Sequence, residues 1–198
     1  MSIYSLPVTL NVCGKECLIR SDYRVVLDCI FAMNDPNVDK RDMGIIILSN
    51  IYQDAYEIMK TNQHMIEKTQ RILELFDDVS EAINQAIWFI SGGEEDKKSK
   101  IRLMDWEQDF KLLIAPINQI MGQEIRALPY LHWWTFLAAY LNIGESNFLT
   151  VIEIRRKLKK GKKLEKWERE FYHENKGMVD LKVKLSDKDE DELSQLFT

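Results

Sequence analysis

The stretch from Met104 to Phe136, MDWEQDFKLLIAPINQIMGQEIRALPYLHWWTF, decides the reading of this chain and holds three of its five tryptophans. It reads as two helices joined by a proline-bearing turn. Asp105 is a good N-cap, with Gln108 placed three residues on to reach back as in a capping box. Trp106, Phe110, Leu113, Ile114, Ile117 and Met121 then recur at helical spacing, and Gly122 can stop the helix. Pro116 removes a hydrogen bond and crowds the preceding turn, which predicts a kink over 112–116 or two shorter helices there. Pro129 stands where a second helix begins. Its apolar stripe is Tyr130, Trp133, Trp134, Leu137, Ala138 and Leu141, ended near Gly144. Two aromatic stripes on either side of a short turn want one core, so this pair is read as the centre of the fold.

Upstream, residues 6–20 alternate, with Val8, Leu10 and Val12 on one face and Gly14-Lys15 as a two-residue turn, a β-hairpin. A lone hairpin is marginal in water and must lie on helices or on a partner. Ser21 can cap a helix carrying Tyr23, Leu27, Ile30 and Phe31, ended by Asn34-Asp35-Pro36. Asp39 caps the next, whose Ile45–Leu48 run is apolar almost all round and predicts burial on several sides. Residues 53–62 read as a break. Met65, Thr69, Ile72, Leu73 and Phe76 form another stripe. Val79, Ile83, Ala86, Ile87 and Ile90 form the next, capped by Asp77, Asp78 or Ser80 and ended by Ser91-Gly92-Gly93. Glu94–Lys100 is charged and reads as a surface loop.

Downstream, Ser146 can cap a helix with Phe148, Val151, Ile152 and Leu158, broken at Gly161. A last helix carries Leu164, Trp167 and Phe171. The fold class is therefore mostly α, some seven or eight helices with an N-terminal β-hairpin. The parse is a single helical domain over 1–178 followed by a flexible acidic tail over 179–198.

Composition narrows the function classes. The chain has 198 residues, 45% hydrophobic and 30% charged, with net charge −5, so it can bury a real core and presents no global field toward nucleic acid. No apolar run approaches the roughly 18 residues of a membrane span, and MSIYSLPVTL lacks the charged start and apolar centre of a signal peptide. Cys13, Cys17 and Cys29 are too few and too odd in number for a disulfide framework, and no paired histidines complete a zinc site.

The constellations that could carry chemistry read as structural. Asp105 and Asp109 share a helical face, but first-turn acids favour the helix dipole and no nucleophile stands beside them. His132 lies among aromatics, where it packs against the core and satisfies its nitrogens locally. Trp133 and Trp134 are adjacent and cannot point the same way, so either one fills the core and the other lies at its edge or at an interface, or both lie in the monomer core. The basic run Arg155–Lys166 is interspersed with glutamates, and Glu153–Lys157 and Glu165–Arg169 are i, i+4 pairs of a solvated face. An acidic protein is the second reading of this run and nucleic acid the third. No Walker loop, dinucleotide loop or GxSxG is present. No catalytic site, cofactor or metal is expected. Candidate partner-binding residues are Trp106, Trp133, Trp134, Arg155, Arg156, Lys159, Lys160 and Trp167.

Five segments carry a family resemblance: DWEQD (Asp105–Asp109), YLHWWTF (Tyr130–Phe136), DYRVVLDCI (Asp22–Ile30), EAINQAIWFISGG (Glu81–Gly93) and IRRKLKKGKKLEKWEREFY (Ile154–Tyr172). In this order they resemble a family encoded in the tail modules of siphoviruses and their prophages, labelled gene product fifteen by gene order. The resemblance implies a non-enzymatic tail-morphogenesis protein, an assembly chaperone that keeps tape-measure protein soluble until tail-tube protein polymerises. It implies tape-measure and tail-tube proteins as partners, with self-association a further option; no membrane is expected, and nucleic acid is the least favoured partner. It places the protein in the host bacterial cytoplasm and outside the mature virion. The alternatives are a structural tail component retained in the virion, or a nucleic-acid-binding regulator using residues 155–166. Chaperones of this kind are often made in two lengths by ribosomal slippage, and Lys159-Lys160 and Lys162-Lys163 could be encoded by slippery codons.

Overall fold

A computed structural model describes residues 4–94, 102–184 and 186. The expected loop after Glu94 and the tail beyond Ser186 lie outside the described residues. Within them the chain is mostly helical, with ten α-helices after an N-terminal two-stranded hairpin. The described residues divide into two compact units, one of residues 4–94, 130–135, 184 and 186, the other of residues 102–129 and 136–183.

In the first unit, β1 (Thr9–Val12) pairs antiparallel with β2 (Lys15–Leu18), Val12 opposite Lys15. The two-residue loop is Cys13-Gly14, one position before the expected Gly14-Lys15. Both residues have positive φ, 50° and 85°, as a type I′ turn requires. Leu10 and Val12 point inward, whereas Val8, outside the paired strand, is 51% exposed. β1 lies on α5 (Val79–Ile90) and β2 on α3 (Gln53–Met59). α1 (Tyr23–Met33) packs on α2 (Lys40–Ile51), which also meets α3, α4 (Met65–Leu73) and α5. This many-sided burial is what the apolar Ile45–Leu48 run predicts, and Asp39 caps α2 as expected.

Other expectations fail where distant partners intervene. The break over 53–62 is helical in its first seven residues, α3, entered from an extended Tyr52. Tyr52 is buried, its hydroxyl donating to the Ala82 carbonyl at 2.7 Å and its ring 4.8 Å from Phe76. Asp22, not Ser21, caps α1 by accepting the Arg24 N–H. The hydroxyls of Ser21 and Tyr130 instead bond each other at 2.7 Å.

Residues 130–135 complete this unit. The Tyr23 N–H donates to Leu131 O at 2.9 Å and the Trp133 N–H to Ser21 O at 2.8 Å. The Asp22 carboxylate accepts the Leu131 N–H at 3.0 Å. This short antiparallel pairing holds 131–132 extended, so α7 (Trp133–Leu141) starts four residues after Pro129 and the predicted stripe is out of phase. Trp133, Phe136 and Ala139 are buried, while Tyr130 and Leu141 are 50% and 77% exposed.

In the second unit, α6 (Trp106–Met121) runs unbroken through Pro116, so two shorter helices are not formed. It ends at Gly122 in the left-handed conformation, φ 68°. A 3-10 turn (Ile125–Ala127) follows, its first N–H bound by the Asn118 side chain. α8 (Asn147–Lys159), α9 (Lys166–Glu174) and α10 (Lys176–Val179) complete the unit with the end of α7. Val151, Ile154 and Val179 form a fully buried cluster under Leu112, Leu164, Phe171 and Tyr172. Val179, assigned from sequence to the tail, is thus core, and Gln108 also holds the chain as far as Lys182. The Met104–Phe136 stretch is therefore not the centre of a single core, because its last residues belong to the first unit and its helix α6 to the second.

Cys13 is an exposed side chain in a left-handed position that suits asparagine better. Cys13→Asn should raise stability by about 0.5 kcal/mol, read as a higher thermal midpoint.

Candidate functional site

The most strongly built polar site lies in the second unit. Arg155 of α8 is 3% exposed and Asp109 of α6 is fully buried. The guanidinium donates to both Asp109 oxygens at 2.6 and 2.9 Å. It also donates to the carbonyls of Leu103 at 3.0 Å, Val179 at 2.6 Å and Met178 at 2.8 Å. All five N–H groups of the side chain are thereby answered. Oδ2 of Asp109, which takes the shorter of the two Arg155 bonds, also accepts the Asp105 N–H at 3.0 Å. Asp105 caps α6 through the Gln108 N–H at 2.8 Å. The reciprocal half of the expected capping box thus comes from Asp109. The Gln108 side-chain amide instead brackets the segment after α10, donating to Asp180 O at 2.8 Å and accepting from the Lys182 N–H at 3.0 Å.

Beyond Arg155 the last two turns of α8 form a basic ridge. Arg156, Lys159 and Lys160 are exposed, but Arg155 is spent inside the fold. Lys157 pairs with Glu168 of α9 at 2.6 Å rather than within its own helix. Burial works against the charge of Glu168. Lys157 and the Glu165 N–H outweigh it and hold the carboxyl below its ordinary value. One side of the ridge opens on a hollow of about 460 Å³ lined by Leu158, Lys159, Tyr172, Val179, Asp180 and Leu181. The other opens on one of about 360 Å³ among Glu153, Arg156, Lys157, Lys160 and Lys162. Trp167 is half exposed, with its indole N–H donating to Glu165 at 3.1 Å. Trp106 is half-buried, its ring 4.8 Å from Tyr140 and 6.1 Å from Phe136.

The other candidates sit in the first unit. Trp133 is 1% exposed and donates its indole N–H to Ile90 O at 2.8 Å, so it serves the core and not a partner. Trp134 is half-buried, donating to Phe89 O at 2.9 Å and lying edge-on to Trp88 at 5.4 Å. A Cβ on Gly93 would come within 2.8 Å of its ring, which accounts for the glycine there. His132 is buried, with Nε2 donating to Pro7 O at 2.9 Å and Nδ1 accepting the Trp134 N–H at 3.0 Å. It is a neutral ring that caps α7. Burial pushes its pKa below the ordinary value, against the pull of the Pro7 carbonyl.

Among the described residues no cluster of His, Cys, Asp and Glu could hold a metal ion. No helix among them is long and apolar enough to cross a membrane. The model of the family described as Bacteriophage Gp15 protein matches residues 3–181. The chain belongs to the bacteriophage Gp15 family. No curated protein and no solved structure was found to match it. The Gp15 match includes both the Arg155–Asp109 pair and the His132 cap. Sequence reasoning missed the first of these. A signal was present: Asp109 and Arg155 each stand on the apolar stripe of their helix, four before Leu113 and three after Ile152.

Arg155→Met would leave Asp109 buried without its cation and should cost about 3–5 kcal/mol in urea unfolding. Asp109→Leu added to it should restore part of that loss, because the double variant no longer buries an unpaired charge.

The depressed pKa of His132 means that the unfolded chain binds a proton more readily than the folded one. Its stabilising contribution is complete above the unfolded value of about 6.5 and is lost as pH falls from there through the folded value. In His132→Asn the amide oxygen can replace Nδ1 as a cap. Proton uptake on unfolding, from stability measured against pH, should fall by up to about one proton.

Proposed function

We propose that this chain is a non-enzymatic tail-morphogenesis protein acting as an assembly chaperone in the host cytoplasm. The observation that carries this reading is its membership in the bacteriophage Gp15 family, joined to the tail-module resemblance of its five segments. A holdase needs apolar surface for its client and polar surface for its own solubility. Tyr4, Leu6, Val8 and Leu18 around the hairpin, and Trp167 and Leu158 on α9 and α8, are exposed apolar side chains that could meet the first need. Asp105, Asp109 and His132, the groups best suited to acid–base work, are engaged in capping and ion pairing, which supports a role without catalysis. The clients would be the apolar helical faces of tape-measure protein, held until tail-tube subunits enclose them.

Co-expression with the neighbouring tape-measure and tail-tube proteins tests the proposal. The expected result is more soluble tape-measure protein, a complex captured by pull-down, and loss of this chain from finished tubes. Stoichiometric retention in purified virions would instead make it a structural tail component.

A further inference from the structure

We infer that the basic ridge of α8, with the hollow beside it, is a docking groove for an acidic segment of a partner protein that carries apolar anchor residues. This rests on the groove alone and does not require the tail-assembly role. Cations in the last turn of a helix complement its dipole and by themselves mean little. The hollow is what that explanation leaves over. It measures about 460 Å³, and Leu158 on its wall is 40% exposed. Tyr172 donates its hydroxyl to the Asp180 carboxylate at 2.9 Å, so both polar groups on the opposite wall already have partners. Arg155 has no N–H to spare for a ligand. Recognition therefore falls to the apolar side chains and to Lys159, with Arg156, Lys160 and Lys162 on the far slope of the same ridge.

Side chains at 155, 158 and 159 face one hollow and those at 153, 156, 157 and 160 the other, as i, i+3 and i, i+4 spacing dictates. A segment laid along the ridge would place an apolar residue over Leu158 and Leu181 while its carboxylates reach Lys159, Lys160 and Arg156 (charge complementarity sets the register). Nucleic acid fits less well. Glu153, Glu165 and Glu170 are exposed among the cations, and the one aromatic ring on the wall of the larger hollow, Tyr172, is half-buried with its hydroxyl tied.

The probe is a synthetic helix-forming peptide of glutamate and alanine with leucines at i, i+3 and i+4, titrated against the full chain by fluorescence anisotropy. It should bind, weaken as salt is raised, and lose most affinity when its leucines become serine. L158D and the double change K159E/K160E should each weaken binding about tenfold or more. K111E, at an exposed position of α6, should not. Circular dichroism and the unfolding midpoint establish that the variants fold. Should L158D lower the midpoint, the K159E/K160E pair carries the test. Binding that ignores both sets of changes overturns the proposal. So does tighter binding of a peptide of residues 187–198, which would make this chain itself the occupant. Displacement of the peptide by an RNA oligonucleotide overturns it as well.

Discussion

A guanidinium sealed from water must have every N–H answered, because each unmet donor in a dry interior costs about 1–3 kcal/mol. Arg155 meets that demand by drawing acceptors from three separate parts of the chain: Leu103, Asp109, and the Met178–Val179 carbonyls. The start of α6, the middle of α8 and the end of α10 are fixed together through one side chain. Gln108 continues the same closure by bracketing Asp180 and Lys182. The apolar cluster of Val151, Ile154 and Val179 lies where this clamp brings its helices together. Hydrophobic burial supplies the driving force of that unit, and the ion pair fixes the arrangement in which the burial occurs.

The first unit solves a related problem with backbone. Residues 21–23 and 131–133 exchange main-chain hydrogen bonds across more than a hundred positions of sequence. Asp22 takes part twice, capping α1 and accepting the Leu131 N–H. Burial works against its charge, but the Arg24 side chain and those two N–H groups hold its carboxyl below the ordinary value. His132 then caps α7 while its other nitrogen bonds Pro7. Two helix starts and the N-terminal segment thus share one small polar network, whose members each satisfy another's orphan donor.

What could be read beforehand follows from the range of the interactions involved. Asp39 at a helix start and Gly122 at a helix end act within one turn, and the structure has them where the residue pattern places them, while Asp78 is the one of three candidates, Asp77, Asp78 and Ser80, that caps α5. Pro129 is an equally good local signal for a helix start and misleads, because the pairing of 131–133 with distant residues delays α7. Ser21 is a good cap residue whose hydroxyl is diverted to Tyr130. Among the candidate partner residues, Arg156, Lys159, Lys160 and Trp167 are exposed, while Trp133 and Arg155 are interior. A charge inside an apolar stripe tells its own story only when the opposite charge is found in another stripe, and Asp109 lies 46 positions from Arg155.

The acceptors of Arg155 also bear on how the chain is made. A ribosome delivers Leu103 and Asp109 first, then Arg155, and Met178 and Val179 last. Until Val179 has cleared the exit tunnel the guanidinium has no complete set of partners, and α6 and α8 have only a partial reason to stay together. The backbone pairing of the first unit waits less, since residues 21–23 and 131–133 are both out once Trp133 has emerged. Synthesis therefore delivers the last two acceptors of this clamp only with Met178 and Val179, after the helices that it joins.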